Sequence, residues 1–352
     1  MANAMRWVCV LGLWLPGIAA ARHCEIDGEE VNPDNGSTTA GKTGMLVCRH
    51  DDGSLMYEHE LRDGQHIGFE RSRGFDGGVS ERQVNANGNS DGPAREFYPD
   101  GKLKSEGTYS DGDAVGLGKS YHKNGKVSAL RFHEKAGKRA VVTLEYNDAG
   151  RLREFSCGAK SYLPEDREPC GFGGKPVEVA LHGRGGAVVE KRTMRDGKLV
   201  RTEGFDDAGK LRESVETTAG GRITRKFHDN GQVASEAVVE NDWVVAETEW
   251  YMNGSVREKT ATTPDERQPR VVHEYFRDTG MLREREELLG RDRVRSERFD
   301  EKGARSEEFV YGDDGNVRLH RKFAPDGRIT LEEELYPDGS RKVISGEPEV
   351  AQ

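Results

Sequence analysis

Residues 97–127 read FYPDGKLKSEGTYSDGDAVGLGKSYHKNGKV. Their glycine-rich centre, Gly112 to Gly118, has the look of a phosphate-cradling loop, and Lys119-Ser120 follow it. The flanks give another reading. YPDGKL at Tyr98 and YHKNGKV at Tyr121 share an aromatic residue, a short spacer, an Asp or Asn with Gly, a polar residue and an aliphatic one. The pattern returns as YNDAGRL at Tyr146, FDDAGKL at Phe205, FHDNGQV at Phe227, YMNGSV at Tyr251 and FRDTGML at Phe276. Further copies are YGDDGNV at Tyr311, FAPDGRI at Phe323 and YPDGS at Tyr336. So specific a pattern at so regular a spacing marks a repeat protein. A phosphate loop needs a helix to present its amides, whereas Tyr121 to Gly125 opens another turn.

The steps Gly101–Gly125, Gly125–Gly150, Gly209–Gly231 and Gly231–Gly254 each span one unit of some two dozen residues. A second set of turns lies between them, at Asp63-Gly64, Asp111-Gly112, Ala136-Gly137 and Leu289-Gly290. Asn-Gly and Asp-Gly tips at this spacing predict β-hairpins with type I′ turns, which need positive φ at both central residues. The predicted turn glycines are Gly53, Gly64, Gly101, Gly112, Gly125, Gly150, Gly209, Gly231, Gly254, Gly280, Gly315, Gly327 and Gly339. Between turns the chain alternates, with Leu103, Gly107 and Tyr109 on one face and Lys104, Glu106 and Thr108 on the other. On this reading Gly116 and Gly118 share a strand face and let a neighbouring aromatic pack close. The interleaved Lys, Arg and Glu read as a solvated face. The charged run Met281 to Arg298 loses its heptad seam after one repeat, so it too is expected as strands.

The bulk composition agrees. Among 352 residues 34% are hydrophobic and 33% charged, with 44 glycines spread along the chain. That is too little apolar material for thick cores, and it fits a thin repetitive sheet. Arg6, the apolar run Trp7 to Leu15 and Ala19-Ala20-Ala21 read as a cleavable secretory signal. Its removal takes the net charge from −10 to −11, because Arg6 is the only charged residue lost. That balance disfavours nucleic acid and anionic lipid as main partners, although Arg and Lys are plentiful enough for local basic patches. No other segment is long and apolar enough to insert in a membrane. Cys24, Cys48, Cys157 and Cys170 remain, an even set for an oxidising compartment. Loop closure favours Cys24–Cys48 and Cys157–Cys170 over a metal site or a Cys–His nucleophile.

The stretch Glu106 to Tyr121, EGTYSDGDAVGLGKSY, resembles the MORN-repeat variant of bacterial proteins in the YwqK-like antitoxin group. Glu60 to Glu70, ELRDGQHIGFE, is similar, with Gly64 and Gly68 in the corresponding places. The C-terminal half, with turns at Gly303, Gly315, Gly327 and Gly339, is also similar to the tyrosine-aspartate repeats of bacterial surface and toxin shells. The resemblance implies antiparallel hairpins in an elongated, twisted single-layer sheet, protein–protein contact as the usual role, and neutralisation of a toxin as one form of it.

Chemistry is sparse. The sequence holds no H-E-x-x-H and no complete EF-hand. The ten histidines are scattered. Gly171 to Gly174 and Gly183 to Gly186 read as backbone relief and a turn. We therefore expect no catalytic, cofactor-binding or metal-ligating residue and no cofactor. The expected organisation is a signal peptide (1–21), a disulfide-clipped N-terminal region with a first repeat (22–92) and MORN-like repeats (93–155). A disulfide-bearing insertion (156–180), degenerate hairpin repeats (181–343) and a flexible tail (344–352) follow. The expected fold is all-β. The expected function is a secreted or periplasmic, non-enzymatic scaffold binding a protein, a toxin or an envelope component. An envelope glycan or peptidoglycan-binding module is the alternative, and an enzyme with an unrecognised site is the third class.

Overall fold

A computed structural model describes residues 22–346; the signal-peptide span and the last six residues lie outside them. The described chain is all-β, with short 3-10 turns at Gly36–Thr38 and Pro164–Asp166 and no α-helix among the described residues. Two open antiparallel sheets hold the strands, twelve in the first and fifteen in the second. Neighbours in sequence are neighbours in space, except at one end of the first sheet. There Arg22–Ile26 lies between Glu29–Glu30 and Gly44–His50. Compact units divide between Thr143 and Leu144. The charged run from Met281 is a hairpin, Leu282–Leu289 with Asp292–Phe299. The last strand, Arg341–Gly346, continues into the span assigned to a tail, and the second sheet opens at Val177, inside the span assigned to the insertion.

Two kinds of turn build the hairpins. At Tyr98 the Gly101 amide donates to the Tyr98 carbonyl, and the Tyr98 amide to the Lys102 carbonyl, both at 2.8 Å. Only Gly101 has positive φ, +82°. This is a three-residue loop, in which a type I turn is followed by a left-handed residue. The expected type I′ geometry is therefore wrong for the main turns. Pairing slips by a residue beside them, at Glu96/Phe97, Lys226/Phe227 and Glu249/Trp250. That is the bulge such a loop creates. The Asx residue of the motif has a defined role. Its side chain accepts the amide two residues on, as in Asp100 to Lys102 (3.1 Å), Asn124 to Lys126 (3.0 Å) and Asn253 to Ser255 (2.9 Å). Type I′ turns do occur in the second set, at Asp63-Gly64 (φ +50°, +79°) and Asp111-Gly112 (+49°, +95°). All the predicted turn glycines, from Gly53 to Gly339, have φ between +76° and +95°.

The first residue of a main turn also reaches the next repeat. Tyr98 Oη donates to the Tyr121 carbonyl at 2.7 Å, and Tyr251 Oη to the Phe276 carbonyl at 3.0 Å. His228 Nε2 lies 3.0 Å from the Trp250 carbonyl, and Arg277 Nη2 donates to the Phe299 carbonyl at 3.0 Å. The first turn residue is thus a joint between repeats, filled by Tyr98 and Tyr251 and equally by His228 and Arg277, which follow the aromatic Phe227 and Phe276.

Compact apolar packing is local. Cys24, Ile26, Val31, Leu46, Cys48 and Leu61 form a buried cluster in the first unit. Cys24 sits directly opposite Cys48 and is disulfide-bonded to it, with Cα atoms 4.1 Å apart. In the second unit Cys157–Cys170 closes a segment docked on the hairpin tip at Asp196-Gly197. The Gly197 amide donates to the Cys170 carbonyl at 2.8 Å, and the Asp196 amide to the Gly171 carbonyl at 3.2 Å. Asp166 anchors this segment while fully buried. Its carboxylate accepts from Ser161 Oγ (2.6 Å) and from the amides of Tyr162 (2.9 Å) and Leu163 (3.3 Å). Cys170→Ser is expected to lower the unfolding free energy of this segment by about 2–4 kcal/mol. The far-UV strand signal should persist; its disappearance would show that the hairpins do not stand without the segment.

Candidate functional site

The strands 79–84, 90–97, 103–110, 113–121 and 127–133 carry one shallow trough of about 270 Å³. Register puts Arg82 opposite Ala94, Ala94 opposite Gly107, and Gly118 opposite Arg131. A Cβ added to Gly107 would stand 3.7 Å from the Gly118 Cα, so the two glycines adjoin. Three successive strands therefore offer at most a methyl group, and an arginine stands at each end of the row. Glu96, Tyr109 and His133 help to line the trough. Arg82 is paired with Glu70 at 3.0 Å, and Glu96 with Lys104 at 3.2 Å. Bare backbone between charged rims admits a close-approaching chain or flat ring.

The glycine-rich run that opened the question lies here. Asp113–Tyr121 is a strand, so no helix amides are presented where a phosphate would sit. The expectation that Gly116 and Gly118 let an aromatic pack close is wrong. Gly116 takes φ +73°, and a Cβ there would meet nothing within 4 Å, while one on Gly118 would meet only backbone. The former turns the chain in the irregular pairing with Leu103–Ser110, where Glu106 faces Lys119 but Thr108 faces Val115. The latter leaves the floor open.

The polar rows are not simply solvated. On one face of the second sheet Glu287, Glu297 and Glu308 are buried, and Glu333 is buried on the other. Glu297 meets Arg295 (3.0 Å) and Arg305 (2.9 Å); Glu308 meets Arg295 (2.5 Å) and Arg321 (3.1 Å), and Arg321 continues to Glu332 (2.9 Å). Arginine's planar fork bridges carboxylates on adjacent strands, which makes this a ladder rather than isolated pairs.

Sequence reasoning also missed a pair. His59 and His66 flank the Asp63-Gly64 turn, and their Nδ1 atoms are 2.7 Å apart. The irregular pairing between His59 and Leu61 brings them together on one face. The signal was present as two histidines seven apart around a two-residue turn, a strand spacing and not a helical one. Burial holds the His59 imidazole below its ordinary value, against Glu70, which raises it. Among the described residues no group of three or more His, Cys, Asp or Glu is arranged to hold a metal ion.

A family model described as a MORN repeat variant matches residues 90–111, the strand pair that carries Ala94 and Gly107. No curated protein matches the chain. Solved structures with a structural match include S. aureus TarM in complex with fondaparinux, alpha-GlcNAc-glycerol and UDP. It is 12% identical with a TM-score of 0.24, over 31% of this chain and 21% of that one. Another is TcdB2-TccC3-TEV, 11% identical with a TM-score of 0.20, over 85% of this chain and 17% of that one. A third is the Photorhabdus luminescens Tc holotoxin pore, 13% identical with a TM-score of 0.15, over 85% and 17%. The chain spans less than a quarter of each of these proteins, and scores so low carry no argument about fold or function.

The ladder has a pH signature. The Arg270 guanidinium, 2.8 Å away, holds the Glu287 carboxyl below its ordinary value of 4.5, and Arg285 and Arg295 act the same way against burial. A carboxyl depressed in the folded state contributes stability above its unfolded value, and loses it as pH falls through the folded value. Arg270→Gln should therefore narrow the difference in urea midpoint between pH 7 and pH 3. An unchanged difference would show that the pair contributes nothing to acid sensitivity.

Proposed function

We propose that the chain is a non-enzymatic repeat scaffold, secreted or periplasmic, that binds a protein partner through the trough over Ala94, Gly107 and Gly118. The partner class is a delivered toxin or an envelope component, and neutralisation by binding is the mode of action. The observation that carries this reading is the floor of Ala94, Gly107 and Gly118, framed by Arg82 and Arg131, of which Ala94 and Gly107 lie in the segment that matches the MORN repeat variant. A partner's backbone or aromatic side chain can lie against such a floor while its charges meet the rims. Two disulfides agree with an oxidising compartment. No helix among the described residues is long and apolar enough to cross a membrane.

Gly107 permits a clean test, because a Cβ there meets only ordinary contacts, at 3.7 and 3.9 Å. Gly107→Val should fill the floor while leaving stability unchanged or raising it by up to about 1 kcal/mol, as β-branched residues favour strands. The wild-type protein should capture one stoichiometric protein from envelope extract, and Gly107→Val should lose it with no fall in thermal midpoint. Retention of both proteins on purified cell-wall sacculi, with no protein partner, would instead establish the glycan reading.

A further inference from the structure

His59 continues the cross-strand row of the trough two strands beyond Arg82, through Glu70, and neither it nor His66 lines the trough. Two neutral imidazoles with Nδ1 atoms 2.7 Å apart hold one proton between them, one ring donating and the other accepting. The rings meet edge to face, with centroids 4.8 Å apart at 80°. His59 is part-buried against Tyr57, centroid to centroid 4.8 Å, whereas His66 is exposed. The far nitrogen of His59, Nε2, faces Glu70 Oε2 at 3.9 Å. Glu70 is itself fixed by Arg82, which donates from Nε at 3.2 Å and from Nη2 at 3.1 Å.

We propose that His59 and His66 form a two-imidazole site for a borderline divalent metal of the Zn²⁺ and Cu²⁺ class. The metal displaces the shared proton, which passes through solvent to the Nε2 of the ring that carried it, so both rings stay neutral and both Nδ1 lone pairs go to the metal. Metal–nitrogen bonds of about 2.0–2.1 Å set tetrahedral ligand nitrogens roughly 3.3 Å apart, a small opening that rotation of the exposed His66 supplies. Glu70 stands where carboxylates commonly orient a ligating histidine through its second nitrogen. The remaining positions open to solvent and are left to water or to a donor from a bound molecule. The charges of Glu70 and Arg82 offset one another, so attraction comes from the imidazole lone pairs and not from a local field. Such a site selects nitrogen-preferring metals and passes over Mg²⁺ and Ca²⁺, which require oxygen donors.

The test uses the untagged protein with ¹⁵N-labelled histidine, titrated with Zn²⁺ alone and separately with Mg²⁺. Zn²⁺ should shift the imidazole nitrogens of His59 and His66 selectively and saturably, and Mg²⁺ should shift neither. His66→Gln, at an exposed position, should keep the strand signal in circular dichroism and lose the Zn²⁺-dependent shift at His59. An unchanged His59 shift in His66→Gln, or no Zn²⁺-dependent shift at either residue in the wild type, would overturn the proposal. His320→Gln, which removes a histidine from the second sheet, should leave the response intact.

Discussion

A strand that belongs to one open sheet, with most of its residues only half-buried, cannot draw its stability from a deep interior. That constraint governs this molecule. Apolar burial is concentrated around Leu46 and Leu61 in the first unit, and around residues such as Leu144, Leu181 and Cys170 in the second. Elsewhere each strand depends on the two beside it, through the backbone ladder and cross-strand side-chain pairs of a few tenths to about 1 kcal/mol each. Disulfides stand where the repeat is entered and where the two sheets meet in sequence, at Cys24–Cys48 and Cys157–Cys170.

The same constraint explains the chemistry of the rows. A buried carboxylate is costly unless paired and hydrogen-bonded, and even a good pair is near break-even against apolar packing. The ladder through Arg295, Glu308 and Arg321 therefore contributes more to register than to total stability. A strand shifted by one residue would send every arginine to the wrong face and leave glutamates such as Glu297 without partners. Register is fixed from the other side by the turns, where Asp100 or Asn124 caps an amide and Tyr98 or Tyr251 bonds to the next repeat.

Repeat architecture, strand identity and both disulfide pairings were legible in the sequence, because each rests on local spacing. A D/N-G tip every dozen residues leaves few alternatives to a hairpin, and neighbouring cysteines close short loops. The turn type was not legible. Asp-Gly serves both the two-residue turn at Asp111-Gly112 and the three-residue loop at Pro99-Asp100-Gly101, and strand pairing decides between them. Burial of Glu297 and Glu308 was hidden because alternation alone cannot tell a solvated charge from one clasped between arginines on adjacent strands. The trough was not legible. Gly107 and Gly118 were each placed on a strand face, but the irregular pairing around Gly116 that sets them side by side is a property of the sheet. His59 and His66 were invisible to a search for helical ligand spacing, since only the irregular pairing next to Leu61 aligns them.

Each hairpin of the second sheet is stabilised by its immediate neighbours, and native-state hydrogen exchange on a Gly231→Ala variant reads this out strand by strand. An L-residue at φ +84° costs about 1–2 kcal/mol. Amide exchange should accelerate in Gly221–Phe227, Val233–Glu240 and the strands next to them, and should fade to wild-type rates toward Val317–Phe323. A uniform acceleration across all strands of the second sheet would mean instead that the sheet unfolds as one cooperative body, and neighbour-only stabilisation would be wrong.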